Sequence, residues 1–94
     1  MTEQAEYFCR VCGYIDKRMH PRWITHDNGI EATYDVCDSC GADSGADDDT
    51  LEAVRSRRQK WLASGPAWSN TGFSNPPDDW NPVEQMKHIP PEWR

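Results

Sequence analysis

No apolar run in the sequence approaches the ~18 residues that a membrane span requires. No basic segment followed by an apolar stretch, the mark of a secretory leader, is visible either, so a cytoplasmic location is expected. Positive charge is in deficit. Ten Lys and Arg stand against 16 Asp and Glu, giving a net charge of −6 and a pI near 4.8. That balance argues against nucleic-acid binding through a generally basic surface, but leaves room for a local basic patch. Apolar residues make up only 36% of the 94 residues, with a mean hydropathy of −0.93. A chain of this length buries roughly 60–65% of its unfolded surface, so its core is thin and often needs a staple. H-E-x-x-H, G-x-S-x-G and Gly-rich phosphate-loop patterns are all missing, and no enzyme is expected. What the chain does have is 11% aromatics, including five Trp, too many for a disordered tail. These features predict one small, acidic, metal-stapled domain over residues 1–94.

The four cysteines set the class. Cys9, Cys12, Cys37 and Cys40 form two C-x2-C pairs separated by 24 residues. A tight turn at each pair aims two sulfurs at one point, and two such turns complete a tetrahedral S4 site. Gly13 and Gly41 follow the second Cys of each pair, and glycine there permits the positive φ a tight metal turn needs. Disulfides are disfavoured where thiols are kept reduced. One zinc ion is the expected cofactor, with one iron ion as the alternative in the same geometry. Four thiolates close the shell, which points to a structural rather than a catalytic ion. Losing four thiol protons and gaining one divalent ion would take the formal charge from −6 to −8.

The expected fold is a small metal-bound α+β domain: antiparallel hairpins of zinc-ribbon type over residues 7–41, an amphipathic helix over 49–64, and a Trp- and Pro-rich wrap over 65–94 with a short helix at 82–88. Residues 1–6 read as a polar, frayed start. Residues 7–15 read as a hairpin carrying the first metal turn, and residues 16–22, with Lys17 and Arg18, as a polar loop. Residues 22–26 and 30–36 read as strands joined at Asp27-Asn28-Gly29, a dipeptide-glycine signal for a tight hairpin. Residues 42–49 are small and acidic. They lack the Gly and Glu spacing of a calcium loop, and Asp49 with Glu52 makes a capping-box pattern. Leu51, Val54, Arg58, Trp61 and Leu62 then lie on one helical stripe, with the Arg58 stem along it. Gly65 and Pro66 end that helix. Trp68, Phe73 and Trp80 are too large for a flexible linker and are expected to wrap the core with Trp61. Asn81, Pro82 and Glu84 supply N-cap, N1 and N3 of the second helix, with Val83 and Met86 as its apolar contacts. The last six residues read as extended.

Candidate interaction residues follow from type. Trp23 and Trp93 are expected as exposed aromatic anchors for a partner. Asp47 and Asp48 are the candidates for an acidic partner-facing patch, although aspartates at a helix N-terminus also have a capping role. Arg55, Arg57, Arg58 and Lys60 supply the alternative, a basic helix face for nucleic acid. His20 or His26, between the knuckles, is a candidate to hydrogen-bond the cluster. The expected partner is a basic protein, steered by net charge. A folded acidic surface of this kind could occupy a nuclease's phosphate-binding groove, which suits a toxin-neutralising or other inhibitory role.

Phe8 to Ile15 (Phe-Cys-Arg-Val-Cys-Gly-Tyr-Ile) and Cys37 to Ala42 (Cys-Asp-Ser-Cys-Gly-Ala) resemble the two rubredoxin knuckles. That resemblance implies one iron on the four thiolates and single-electron transfer. The sequence departs from rubredoxin at Asp38, where that family has Pro, and the last 50 residues have no counterpart there. Over roughly residues 7–89 the chain is similar to small bacterial cysteine-rich proteins of the CPCC-like group. The shared pattern is a C-x-x-C-G-Y knuckle, a Tyr before the second knuckle, an acidic stretch, a Trp-bearing helix and a W…EQ-M-K tail. This second resemblance implies a metal-binding role and an immunity or inhibitor-type partner.

Overall fold

The computed structural model describes residues 4–16, 20–71 and 74–94. Residues 1–3, the loop residues Lys17 and Arg18, and the aromatic Phe73 lie outside them. Three short antiparallel strands form one sheet in chain order: β1 (Gln4–Glu6), β2 (Trp23–His26) and β3 (Gly29–Ala32). The two-residue turn Asp27-Asn28 joins β2 to β3, with Ile24 opposite Glu31 and Thr25 opposite Ile30. The start of the chain is not frayed at residues 4–6. Gln4, Ala5 and Glu6 pair with Thr25, Ile24 and Trp23, because β2 has a free edge to offer them.

The third strand is shorter than its alternating pattern implies. Tyr34 adopts φ 58° and turns the chain out of the sheet. Thr33 fixes that departure, donating from Oγ1 to the Pro21 and Arg22 carbonyls at 2.8 and 3.1 Å. Ile30, within β3, and Val36, beyond it, are exposed. Gly45, at φ 95°, leaves room for the Tyr34 ring, which an added Cβ would meet at 2.8 Å.

Helix α1 (Leu51–Ala63) buries Val54 and Trp61. Its N-cap is Thr50, not Asp49: Thr50 Oγ1 accepts from Ala53 N–H at 3.1 Å. Leu62 is 39% exposed, so the inner stripe is narrower than expected. Gly65, at φ 81°, donates to Leu62 O and ends the helix. Helix α2 (Pro82–Gln85) is capped by Asn81 Oδ1 through the N–H groups of Val83 and Glu84. It tightens into a 3-10 turn at Met86–His88. Val83 faces solvent and Gln85 is the buried residue, which reverses the expected inner face at that position. The chain closes in a second 3-10 turn, Pro91–Trp93, rather than an extended segment. No helix among the described residues is long and apolar enough to cross a membrane.

The apolar core centres on the cysteines themselves. Cys9, Val11, Cys12, Cys37, Cys40, Ala42, Val54 and Trp61 form one buried cluster, against which Tyr14, Trp80, Met86 and Trp93 pack. Trp68 is also buried. Trp61, Trp68 and Trp80 therefore stand in or against the core, as their wrapping role required.

Candidate metal centre

Two equivalent turns build the site. In the first, Phe8 bridges Ile15, Cys9 N–H donates to Tyr14 O at 2.9 Å, and Gly13 N–H donates to Cys9 O at 2.8 Å. In the second, Val36 bridges Asp43, Cys37 N–H donates to Ala42 O at 2.9 Å, and Gly41 N–H donates to Cys37 O at 2.8 Å. Gly13 and Gly41 close these turns at φ 82° and 79°, the conformation that glycine adopts without strain. Sequence spacing therefore located both turns correctly.

The four sulfurs lie within 4.8 Å of one another and are buried. Cys9 Sγ is 3.7 Å from Cys40 Sγ, and Cys12 Sγ is 3.6 Å from Cys37 Sγ. A metal–sulfur bond of about 2.3 Å in a tetrahedron sets neighbouring sulfurs about 3.8 Å apart. A disulfide would need about 2.05 Å. All four cysteines are free, and their separations fit a shared metal ion rather than a bridge. This four-cysteine group includes neither His20 nor His26. His20 lies 4.0 Å from Asp35, and His26 pairs with Glu31 at 2.8 Å on the β2–β3 hairpin.

Burial opposes charge at Cys9 and Cys12. For Cys9, burial is outweighed by hydrogen bonds from Cys12, Cys37 and Cys40, which hold its pKa well below the ordinary thiol value. For Cys12, burial and the neighbouring thiols both act to raise it. Within this pair the thiolate of Cys9 is favoured over that of Cys12. A bound cation would override that preference, because its charge stabilises all four anions and their protons leave.

Arginines secure the two turns. Arg58 donates Nε to Val11 O at 2.6 Å and Nη2 to Arg10 O and Trp93 O at 2.9 and 2.7 Å. Arg57 donates to Cys40 O at 3.1 Å. Arg22 donates to Asp35 O and Ala42 O at 3.2 and 3.1 Å. Arg10 lies between two indoles, 4.0 Å from the Trp23 ring and 3.9 Å from the Trp93 ring. It also clamps Glu6 at 2.8 Å through Nε and Nη2.

These contacts overturn two expectations. Trp23 is only 7% exposed and donates its indole N–H to Asp48 Oδ1 at 3.1 Å. Asp48 is fully buried, also accepts from Gly45 N–H, and lies 3.7 Å from Arg22. Neither residue is on the surface where a partner could reach it. Burial raises the Asp48 pKa, against the hydrogen bonds and the Arg22 charge that lower it. Asp47 accepts from Asp43 N–H at 2.9 Å, and Trp93 is half-buried over Arg10, so both serve the fold as well as any partner. The basic helix face is drawn inward in part: Arg57 and Arg58 are half-buried, while Arg55 and Lys60 are exposed. Arg55 joins Arg58 in donating to Arg94 O, and among the described residues Lys60 alone of the four makes no such bond.

The tail seals the site from the other side. Gln85 donates to Ser39 Oγ at 2.8 Å and accepts from the Trp80 indole at 2.8 Å. His88 Nδ1 lies 3.2 Å from Gly13 O. Asp38 holds the preceding loop: its backbone carbonyl accepts from Ser69 and Asn70, and its carboxylate accepts from Asn70 and Ser74 side chains. Sequence reasoning missed Gln85 and Ser39. It also missed Arg10 and Arg22. Arg58 carried a usable signal, since a charged residue on an apolar helical stripe points to a buried acceptor.

No family model, curated protein or solved structure matches the chain. The site's meaning therefore rests on its own geometry and chemistry.

Proposed function

We propose that this chain is an interaction module stapled by one zinc ion on Cys9, Cys12, Cys37 and Cys40, which meets a basic protein through its acidic exterior. One observation carries the reading: among the described residues, eight carboxylates are exposed against four cations, Arg55, Lys60, Lys87 and Arg94. Every described arginine donates to a backbone carbonyl of its own chain. Asp27, Glu31, Asp49, Glu52, Asp78, Asp79, Glu84 and Glu92 are meanwhile exposed. The arginines cross-link their own chain, and the excess of carboxylates among the exposed charges sets the outer field, which steers a positively charged partner. A knuckle pair of zinc-ribbon type, sealed on all sides, suits a closed structural ion. An immunity or inhibitor-type role is the form of such binding that this size and charge fit.

The same thiolates would take iron, giving an electron carrier resembling rubredoxin. The burial of all four cysteines beneath the tail favours the staple. Elemental analysis with a visible spectrum separates the two. One zinc per chain and no colour is the expected result. One iron per chain with a red, reversibly bleached protein would overturn it. Retention on an immobilised polycation, lost with salt, tests the acidic surface, and failure to bind at low salt would remove that part of the reading.

A further inference from the structure

A groove of about 440 Å3 opens beside α2, between the first metal turn and the turn at residues 77–80. Its floor is aromatic and preformed. Trp68 meets Tyr14 edge-on at 5.2 Å and 88°, and meets Trp80 edge-on at 5.4 Å and 85°. Gln85 fixes the Trp80 indole, so no ring needs to be ordered when the groove fills. Ile15, 41% exposed, forms an apolar flank. The rim carries Asp79 and Glu84. Asp79 has no ion pair among the described residues, and Glu84 holds only Lys87, at 2.8 Å in a solvent-exposed pair. Such a pair is weak and readily exchanged.

A planar cation matches each of these surfaces. A guanidinium stacks on aromatic faces and can present paired N–H groups to carboxylates, whereas an ammonium is a strongly hydrated point charge. We propose that this groove seats an arginine side chain from a basic segment of a protein partner, stacked against Tyr14 and Trp80, with its N–H groups on Asp79 and Glu84. On seating, the arginine displaces Lys87 from Glu84. The proposal rests on the acidic-module reading above and gives it a place on the surface.

The test uses the metal-loaded full chain and the peptide acetyl-Ala-Arg-Ala-Arg-Ala-amide at low salt, followed by NMR. Shift changes should gather at Tyr14, Ile15, Asp79, the Trp80 indole and Glu84. Asp79→Asn should weaken binding about fivefold, and citrulline in place of arginine about tenfold or more. Lys87→Gln should tighten binding about threefold by freeing Glu84, while Lys60→Gln, the same charge change elsewhere, should move it less than about twofold. Equal tightening by both lysine variants would overturn the groove. So would shifts centred on Asp27, Glu31 or the start of α1, although the acidic-module reading would then survive. If neither the peptide nor the basic protein protamine binds at low salt, the groove and the module reading both fall.

Discussion

Gly13 and Gly41 occupy the same place in the two metal turns, yet their surroundings differ. A Cβ on Gly13 would overlap the carbonyl oxygen of Gln85, which is backbone and cannot rotate away. A Cβ on Gly41 would meet Ser69 Oγ at 2.6 Å, the end of a short movable side chain. Gly65 has the same backbone conformation with open space around it. Left-handed strain alone costs about 1–2 kcal/mol, and forced overlap adds about 1–3 kcal/mol. Urea unfolding of the metal-loaded variants should therefore rank Gly13→Ala as most damaging, at about 3–5 kcal/mol, then Gly41→Ala, then Gly65→Ala at about 1–2 kcal/mol. Equal losses for Gly13→Ala and Gly65→Ala would mean that α2 does not bear on the first turn. Asp48 gives a second test at this scale. Asp48→Ala would leave the Trp23 indole N–H and the Arg22 charge buried and unmatched, a loss of about 3–5 kcal/mol. A change under about 1 kcal/mol would contradict the burial of that pair. The glycines were legible because a C-x2-C-G turn is a local problem with a local solution. Asp48 was not, because its partner Trp23 lies 25 positions away and composition reads an aspartate as surface.

Helix α1 was the most legible element, and its errors were errors of detail. The spacing of Val54, Arg58 and Trp61 placed the helix and its inner face. The cap was misassigned because Asp49 and Thr50 are both good N-cap residues and only the fold chooses between them. Thr50→Ala should lower stability by about 1 kcal/mol, with Asp49→Ala within about 0.5 kcal/mol of the parent, in the same unfolding measurement. The reverse order would restore Asp49 as the cap. Arg58 ties this helix to the first metal turn and to the C-terminal segment at once. Its removal leaves the Val11, Arg10 and Trp93 carbonyls short of a donor, for a loss of about 2–4 kcal/mol. Arg58→Lys should not recover it, because one ammonium cannot span three separated acceptors. Full recovery by lysine would show that charge, not the fork, is what the turn requires. The strands were less legible. The alternating apolar positions after Gly29 imply a strand to residue 36, but Tyr34 turns the chain out, and no period-2 pattern records that.

At the scale of the molecule, the core and the candidate metal centre are the same place. The cysteines supply half of the eight residues in the buried cluster, and the other large contributors, Val54 and Trp61, pack onto them. Without an ion, burial resists the ionisation of Cys12 while neighbouring thiols stabilise the thiolate of Cys9. The apo state therefore retains protons that the loaded state must release. The sign follows directly: raising the pH removes the competing protons and strengthens metal binding, and lowering it expels the metal. Apparent affinity, measured by competition with a coloured chelator between about pH 5.5 and 7.5, should rise more than tenfold per pH unit, since more than one proton leaves per ion. Loss of the ion should also remove the centre of the fold. Dispersed NMR signals and the near-ultraviolet signature of the buried indoles should collapse together on chelation and return together on adding zinc. A protein that kept both without metal would show that the arginine cross-links and packed indoles hold the fold by themselves, with the four thiols available for other chemistry.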